Sequence, residues 1–247
     1  MLRRAIRYFS LTERLLWSCS VALTVISFCL FDRENYLTLA ASLIGVTSLI
    51  FNAKGHPFGQ LLMVIFSLLY GIISYSFAYY GEMITYLGMT MPMAVFALIS
   101  WLRDPYEGNR AEVKVNVLAR AEGVLMWVAA GAVTFLFYHI LRYFHTANIG
   151  MSTLSVTTSF VAVYLTFRRS PLFALAYAAN DAVLIWLWVK ASLRDSRYIP
   201  VVVCFLAFLV NDIYGYISWQ EMKKRQKQKK NERQTIKIMG QSLFLCA

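Results

Sequence analysis

Apolar positions along the chain gather into eight long runs divided by short polar breaks. The runs cover residues 15–31, 36–52, 58–80, 83–102, 123–141, 151–167, 171–189 and 199–219. Each is about the length an α-helix needs to cross a bilayer, where only an element that satisfies its own backbone is tolerated. The pattern predicts an all-α membrane protein with about eight transmembrane helices. The breaks carry turn residues and charges: DREN, AKGHP, Gly81-Glu82, RRSP and KASLRDSR. The longest is RDPYEGNRAEVKVNVLAR, residues 103–120. A Lys-, Arg- and Gln-rich tail, residues 220–247, follows the last run.

The seventh and eighth runs are interrupted near their middles by Asn180-Asp181 and Asn211-Asp212. A carboxylate at bilayer depth costs several kcal/mol unless it faces protein, water or a partner. Two adjacent helices bearing acids at one depth predict a polar midplane site that passes a small polar molecule. At helical spacing, Tyr177, Asp181, Leu184 and Trp188 share a face bordered by Asn180. Phe208, Asp212, Gly215 and Trp219 share another, flanked by Asn211 and Tyr214. On the third run Gln60, Ser67, Gly71 and Ser74 align beside Tyr70. The candidate substrate-binding residues are Gln60, Ser67, Tyr70, Tyr177, Asn180, Asp181, Trp188, Asn211, Asp212 and Tyr214. Other roles stay open for some. Asn180 and Asn211 equally suit hydrogen bonds across helices, and the two acids a proton relay. Trp101, Trp188 and Trp219, near span ends, fit the interfacial aromatic belt. Pro92, after Gly88 and Thr90, marks a kink, a hinge or part of a site.

The runs repeat. The second to fourth form one trio and the sixth to eighth another. Each trio opens on a short hydroxyl-rich run (Thr38, Ser42, Thr47, Ser48; Ser152, Thr153, Ser155, Thr157, Thr158, Ser159). A basic turn and a proline follow, Pro57 and Pro171, 114 residues apart, and each trio closes on Ile-Ser-Trp, at 99–101 and 217–219. One helix between trios of three gives both the same orientation: a parallel repeat, with a site expected where the repeats meet. By the 114-residue shift Ser67 is the counterpart of Asp181, so the acid belongs to one half only.

Composition and charge refine this. The chain is 59% hydrophobic with mean hydropathy +0.54, and eight spans leave no room for a separate soluble domain. The boundaries expected are 1–35 for the N-terminal tail and an extra helix, 36–102 for the first bundle, 103–120 for a loop, 121–141 for a linker helix, 151–219 for the second bundle and 220–247 for the tail. The net charge of +11 is topological rather than a nucleic-acid surface. Of 24 Lys and Arg, 19 fall on the side of the two termini and 5 on the other. That bias predicts cytoplasmic termini, the lipid bilayer as surroundings and no nucleic-acid partner. Arg3, Arg4, Arg7 and Arg14 ahead of an apolar run imitate a signal peptide, but no small-residue cleavage site follows, so the first helix is expected to be retained.

Catalytic patterns are missing: no HExxH, GxSxG or Walker lysine loop is present. Asp181 and Asp212 alone are a thin metal cluster. His56, His139 and His145 lack metal-ligand spacing, and Cys19, Cys29, Cys204 and Cys246 lack any CxxC or Cys/His arrangement. No enzyme, cofactor or metal is expected.

Residues 52–118 (NAKGHPFGQLLMVIFSLLYGIISYSFAYYGEMITYLGMTMPMAVFALISWLRDPYEGNRAEVKVNVL) and 198–220 (YIPVVVCFLAFLVNDIYGYISWQ) resemble the PnuC family of nicotinamide riboside transporters, often termed nicotinamide mononucleotide transporters. The resemblance implies a SWEET-like fold of two three-helix bundles, a linker helix and an optional N-terminal helix. It also implies facilitated diffusion, with the substrate retained inside by phosphorylation, and a homo-oligomer. Family members often show Trp-x-x-Trp-x-x-x-Asn on the middle helix of the second bundle; here those places hold Phe173, Ala176 and Asn180. Relatives carry other vitamins or nucleosides, so thiamine, riboflavin or a deoxynucleoside is the alternative cargo, and a vitamin-binding subunit of an ATP-driven importer the alternative role. Nicotinamide riboside joins a flat cationic ring to an amide and a ribose, which aromatic faces, an acid, amides and hydroxyls would recognise.

Overall fold

The computed structural model describes residues 8–76, 80–146 and 148–245, with side chains to residue 236. Arg3, Arg4, Arg7 and Cys246 lie outside the described residues. Among the described residues, eight helices are long and apolar enough to span a membrane. They are α1 (Leu11–Phe31), α2 (Tyr36–Ala53), α3 (Phe58–Ser76), α4 (Tyr80–Arg103), α5 (Arg120–Tyr143), α6 (Ile149–Phe167), α7 (Leu172–Ser192) and α8 (Ile199–Leu245). Polar breaks supply the starts. Ser10 caps α1 by accepting from Glu13 N–H at 3.2 Å, while the Glu13 carboxylate accepts from Ser10 N–H at 2.7 Å. Asn35 accepts from Thr38 N–H at the start of α2.

Six helices close a ring: α2 packs on α3, α3 on α4, α4 on α6, α6 on α7, α7 on α8, and α8 returns to α2. The trios α2–α4 and α6–α8 therefore meet at two seams, α2/α8 and α4/α6. Outside the ring, α1 packs over α2 and α8, and α5 over α6 and the start of α4.

The repeated Ile-Ser-Trp tripeptides hold the seams, each in the same way. Trp219 Nε1 donates to the Asn52 carbonyl at 2.7 Å, and Ser218 Oγ to that of Ala53 at 2.7 Å. Trp101 Nε1 donates to Thr166 O at 2.9 Å, and Ser100 Oγ to Phe167 O at 3.0 Å. Asn52 and Thr166 are counterparts by the 114-residue shift, as are Gly55 and Arg169, both of positive φ (66° and 56°). The two indoles meet at 5.4 Å between ring centres, with Phe173 packed on both. Trp101, Trp188 and Trp219 are 0%, 1% and 0% exposed, which corrects the aromatic-belt expectation. Their N–H groups found partners inside the bundle, so the rings were free to bury.

Two polar stretches carry regular structure. Residues 103–120 contain a hairpin, β1 (Pro105–Tyr106) and β2 (Asn109–Val113), turning through Glu107 and Gly108, both of positive φ. Val113 N–H donates to Gly55 O at 3.0 Å. α8 runs on into the tail as far as Leu245, and residues 216–239 contain neither Gly nor Pro to stop it. One turn apart on this extension, Met222 and Gln226 are buried, and the Gln226 side chain bonds Val113 O and Val115 N–H. The hairpin is thereby tied to both trios.

Candidate functional site

Halfway along the ring, α2, α3, α4, α6, α7 and α8 enclose a cavity. Its free space is about 20 Å³, the scale of one water molecule. Anything larger than water therefore fits only if the surrounding helices move. One wall carries Asp181 and Asp212, whose carboxyls interact directly. Both are buried, and Asp181 Oδ2 has no hydrogen-bond partner among the described residues. Beside them stand Tyr177 and Asn180; the Asn180 carbonyl oxygen accepts from Thr158 and Ser159 of α6 at 2.8 and 3.0 Å. Phe66, Phe205 and Phe208 supply aromatic faces. No Lys, Arg or His lines the cavity among the described residues.

The α4 wall depends on a local irregularity. Residues 86–90 form a π-helical turn, with Met91 N–H reaching back five residues to Tyr86 O. Pro92 follows and lacks the N–H that a regular turn needs. The wider turn brings Tyr86 and Thr90 to the cavity, so the irregular stretch lines the site. Gly45 of α2 matters by what it lacks: a Cβ there would run into the Phe208 and Phe66 rings.

Of the ten sequence candidates, Tyr177, Asn180, Asp181 and Asp212 line this cavity. Tyr70 and Trp188 lie together beyond it, Trp188 Nε1 donating to the Tyr70 hydroxyl at 2.7 Å. Tyr70 also lines a smaller cavity with Thr38, Ser42 and Cys204. Ser67 is fully buried, its hydroxyl without a partner among the described residues, and Gln60 donates to Asn52 Oδ1 at 2.8 Å; neither lines the cavity. Asn211 and Tyr214 turn the other way: Asn211 donates to Ser20 of α1 at 3.0 Å, and Tyr214 to Glu13 at 3.3 Å. Asn211 joins helices, and neither residue lines the cavity, because both lie on faces of α8 that meet α1 rather than the face carrying Asp212. Phe66 and Met63, which sequence reasoning missed, are counterparts by the 114-residue shift of Asn180 and Tyr177. The repeat itself was the signal that could have found them. Phe173 and Ala176, at the two tryptophan places, pack at the Trp101–Trp219 clasp rather than at the cavity.

Residues 35–221 match the family model described as "Nicotinamide mononucleotide transporter". The chain is 29% identical over 201 residues to the nicotinamide riboside transporter PnuC of Neisseria mucosa, covering 79% of this chain and 76% of that one. To the protein of the same name from Haemophilus influenzae it is 22% identical over 196 residues, covering 78% and 82%. Its fold is that of a crystal structure of the vitamin B3 transporter PnuC, with a TM-score of 0.78, 24% identity, and coverage of 88% of this chain and 94% of that one. This is a multi-pass membrane protein built as a transporter rather than an enzyme, and the chain belongs to the nicotinamide mononucleotide transporter family.

Proposed function

We propose that the chain takes up nicotinamide riboside for NAD synthesis, by facilitated diffusion through the cavity between the trios. One observation carries the choice of cargo: two buried carboxyls share an aromatic cavity with no cationic side chain among its described lining residues. A cationic pyridinium would be held there by charge and by stacking. The phosphate of nicotinamide mononucleotide would meet two acids and no Lys or Arg, which favours the riboside over the nucleotide of the family's description. Both relatives, from Neisseria mucosa and Haemophilus influenzae, are nicotinamide riboside transporters by name, which points the same way. Gln60, Ser67, Tyr70 and Trp188 would serve as walls further along the path. The excess of Lys and Arg on the face carrying the termini supports a cytoplasmic location for both. Assembly with further copies of the chain is part of this reading, tested by the mass of the protein in nanodiscs.

The deciding experiment is uptake into vesicles holding the purified protein alone, with nicotinamide riboside as the labelled solute. Its phosphorylated form, thiamine and deoxynucleosides serve as competitors. Saturable uptake that the unlabelled riboside blocks and the others do not is the expected result. No uptake without an ATP-driven partner, or stronger competition by thiamine or a deoxynucleoside, would overturn the proposal.

A further inference from the structure

One buried acid has no part in the cavity. Glu82, near the start of α4, is 5% exposed and forms no ion pair among the described residues. One carboxylate oxygen accepts a long hydrogen bond from Ser155 of α6 at 3.5 Å; the other has no partner among the described residues. An ionisable group buried this way within a span is costly, and such groups mark solute paths.

Its position on two helices ties it to the cavity. Glu82, Tyr86 and Thr90 follow at four-residue steps on α4, and Tyr86 and Thr90 line the cavity. Ser155 and Ser159 follow in the same way on α6, and Ser159 lines it too. Glu82 and Ser155 thus sit about one helical turn, ~5 Å, from the cavity wall. They lie toward the face opposite the basic one, which is the outer face in the orientation proposed above. Between Glu82 and the Asp181–Asp212 pair stands an aromatic layer: the Tyr70 and Tyr86 rings lie 4.3 Å apart, and Trp188 is bonded to Tyr70.

We propose that Glu82 is a specificity-determining residue at the outer end of the path, where its unpartnered oxygen receives the cationic ring of the solute before the ring passes the aromatic layer to Asp181 and Asp212. This rests on the reading of the cargo as a cationic nucleoside. Glu82 would act on capture rather than on the later crossing, so its removal should raise KM and leave the maximal rate near its original value.

Initial rates in vesicles provide the test, with nicotinamide riboside and its uncharged dihydro form compared as substrates. For Glu82→Gln, KM for the cation should rise about tenfold, the loss of ~1.4 kcal/mol of attraction, while KM for the uncharged form stays within about twofold. Glu82→Asp keeps the charge but draws it back, so it should raise KM for the cation alone and by less; it decides the matter if the Gln variant does not fold. Equal rises for both substrates would mark a structural residue and overturn the inference, as would no rise for either. Wild-type protein that carries no nicotinamide riboside would overturn the proposed cargo and this inference with it. Wild-type uptake with no charge-selective change in the variants overturns this inference alone.

Discussion

Replacing Trp219 by Phe tests whether the paired tripeptides hold the seams. The indole is fully buried and donates to Asn52 O at 2.7 Å. That carbonyl also accepts from Gly55 N–H at 2.9 Å, so losing the indole does not orphan it. The lost bond is worth about 1 kcal/mol. The smaller ring leaves about 40 Å³ unfilled, worth about 1 kcal/mol more at ~24 cal/mol per Å³. The total of about 2 kcal/mol corresponds to a fall of roughly 4–8 °C in melting temperature for a chain of this size. Trp101→Phe should cost about the same, because its partner Thr166 O likewise keeps a second donor, Arg169 N–H at 2.9 Å. The rings touch, so the double variant should depart from additivity by about 0.5–1.5 kcal/mol. Thermal unfolding in detergent, followed by thiol labelling of buried Cys204, reads all three. A change below about 0.5 kcal/mol in either single variant would refute the clasp, and a several-fold difference between them would refute the equivalence of the seams.

Other outcomes follow from the site and its surroundings. Asp181→Asn should raise KM for nicotinamide riboside about 30-fold or more, the scale of about 2 kcal/mol for truncating a buried charge partner; unchanged uptake would show that the acid does not read the ring's charge. Gly45→Ala should slow uptake while the protein still folds, since the added methyl forces the Phe208 and Phe66 rings into the cavity; normal uptake would mean that this wall is not in the path. His56 lies in the turn before α3, where burial lowers its pKa and Nδ1 accepts from Phe58 N–H at 3.1 Å. The unfolded chain therefore binds this proton more readily, so the stability His56 contributes is intact above about pH 6.5 and falls as the pH drops below it. His56→Gln should flatten the wild-type loss of melting temperature between about pH 7 and 5.5; an unchanged slope would assign it elsewhere.

Much of the fold could be read from period and length alone. Apolar runs gave eight spans, and Pro57, Pro171 and the two tripeptides gave the repeat, because each marks a physical event: a turn or a clasp. The midplane acids were equally plain, a carboxyl in lipid being too costly to sit there idle. Direction around a helix was harder. Asn211 and Asp212 are neighbours in sequence, yet about 100° separates them on α8, and the arrival of α1 on one side decided that Asn211 would face Ser20. Tryptophan burial was illegible because it depended on carbonyls far along the chain, Asn52 for Trp219 and Thr166 for Trp101. Tyr86 and Thr90 stand at ordinary i, i+4 spacing on α4, but neither carries a charge whose burial would mark that face as a wall.

The placement of α1 and α5 outside the ring has its own consequence. Each covers one junction between the trios, and each anchors there by an acid in its first turn. Glu13 pairs with Lys54 just after α2 at 3.0 Å, and Glu122 pairs with Arg168 just after α6. The first helix is then no appendage: in space it answers to the fifth, and the molecule divides into two halves of four. On the proposed path through the cavity, both covering helices would keep hydrocarbon tails out of the joints along which the halves slide.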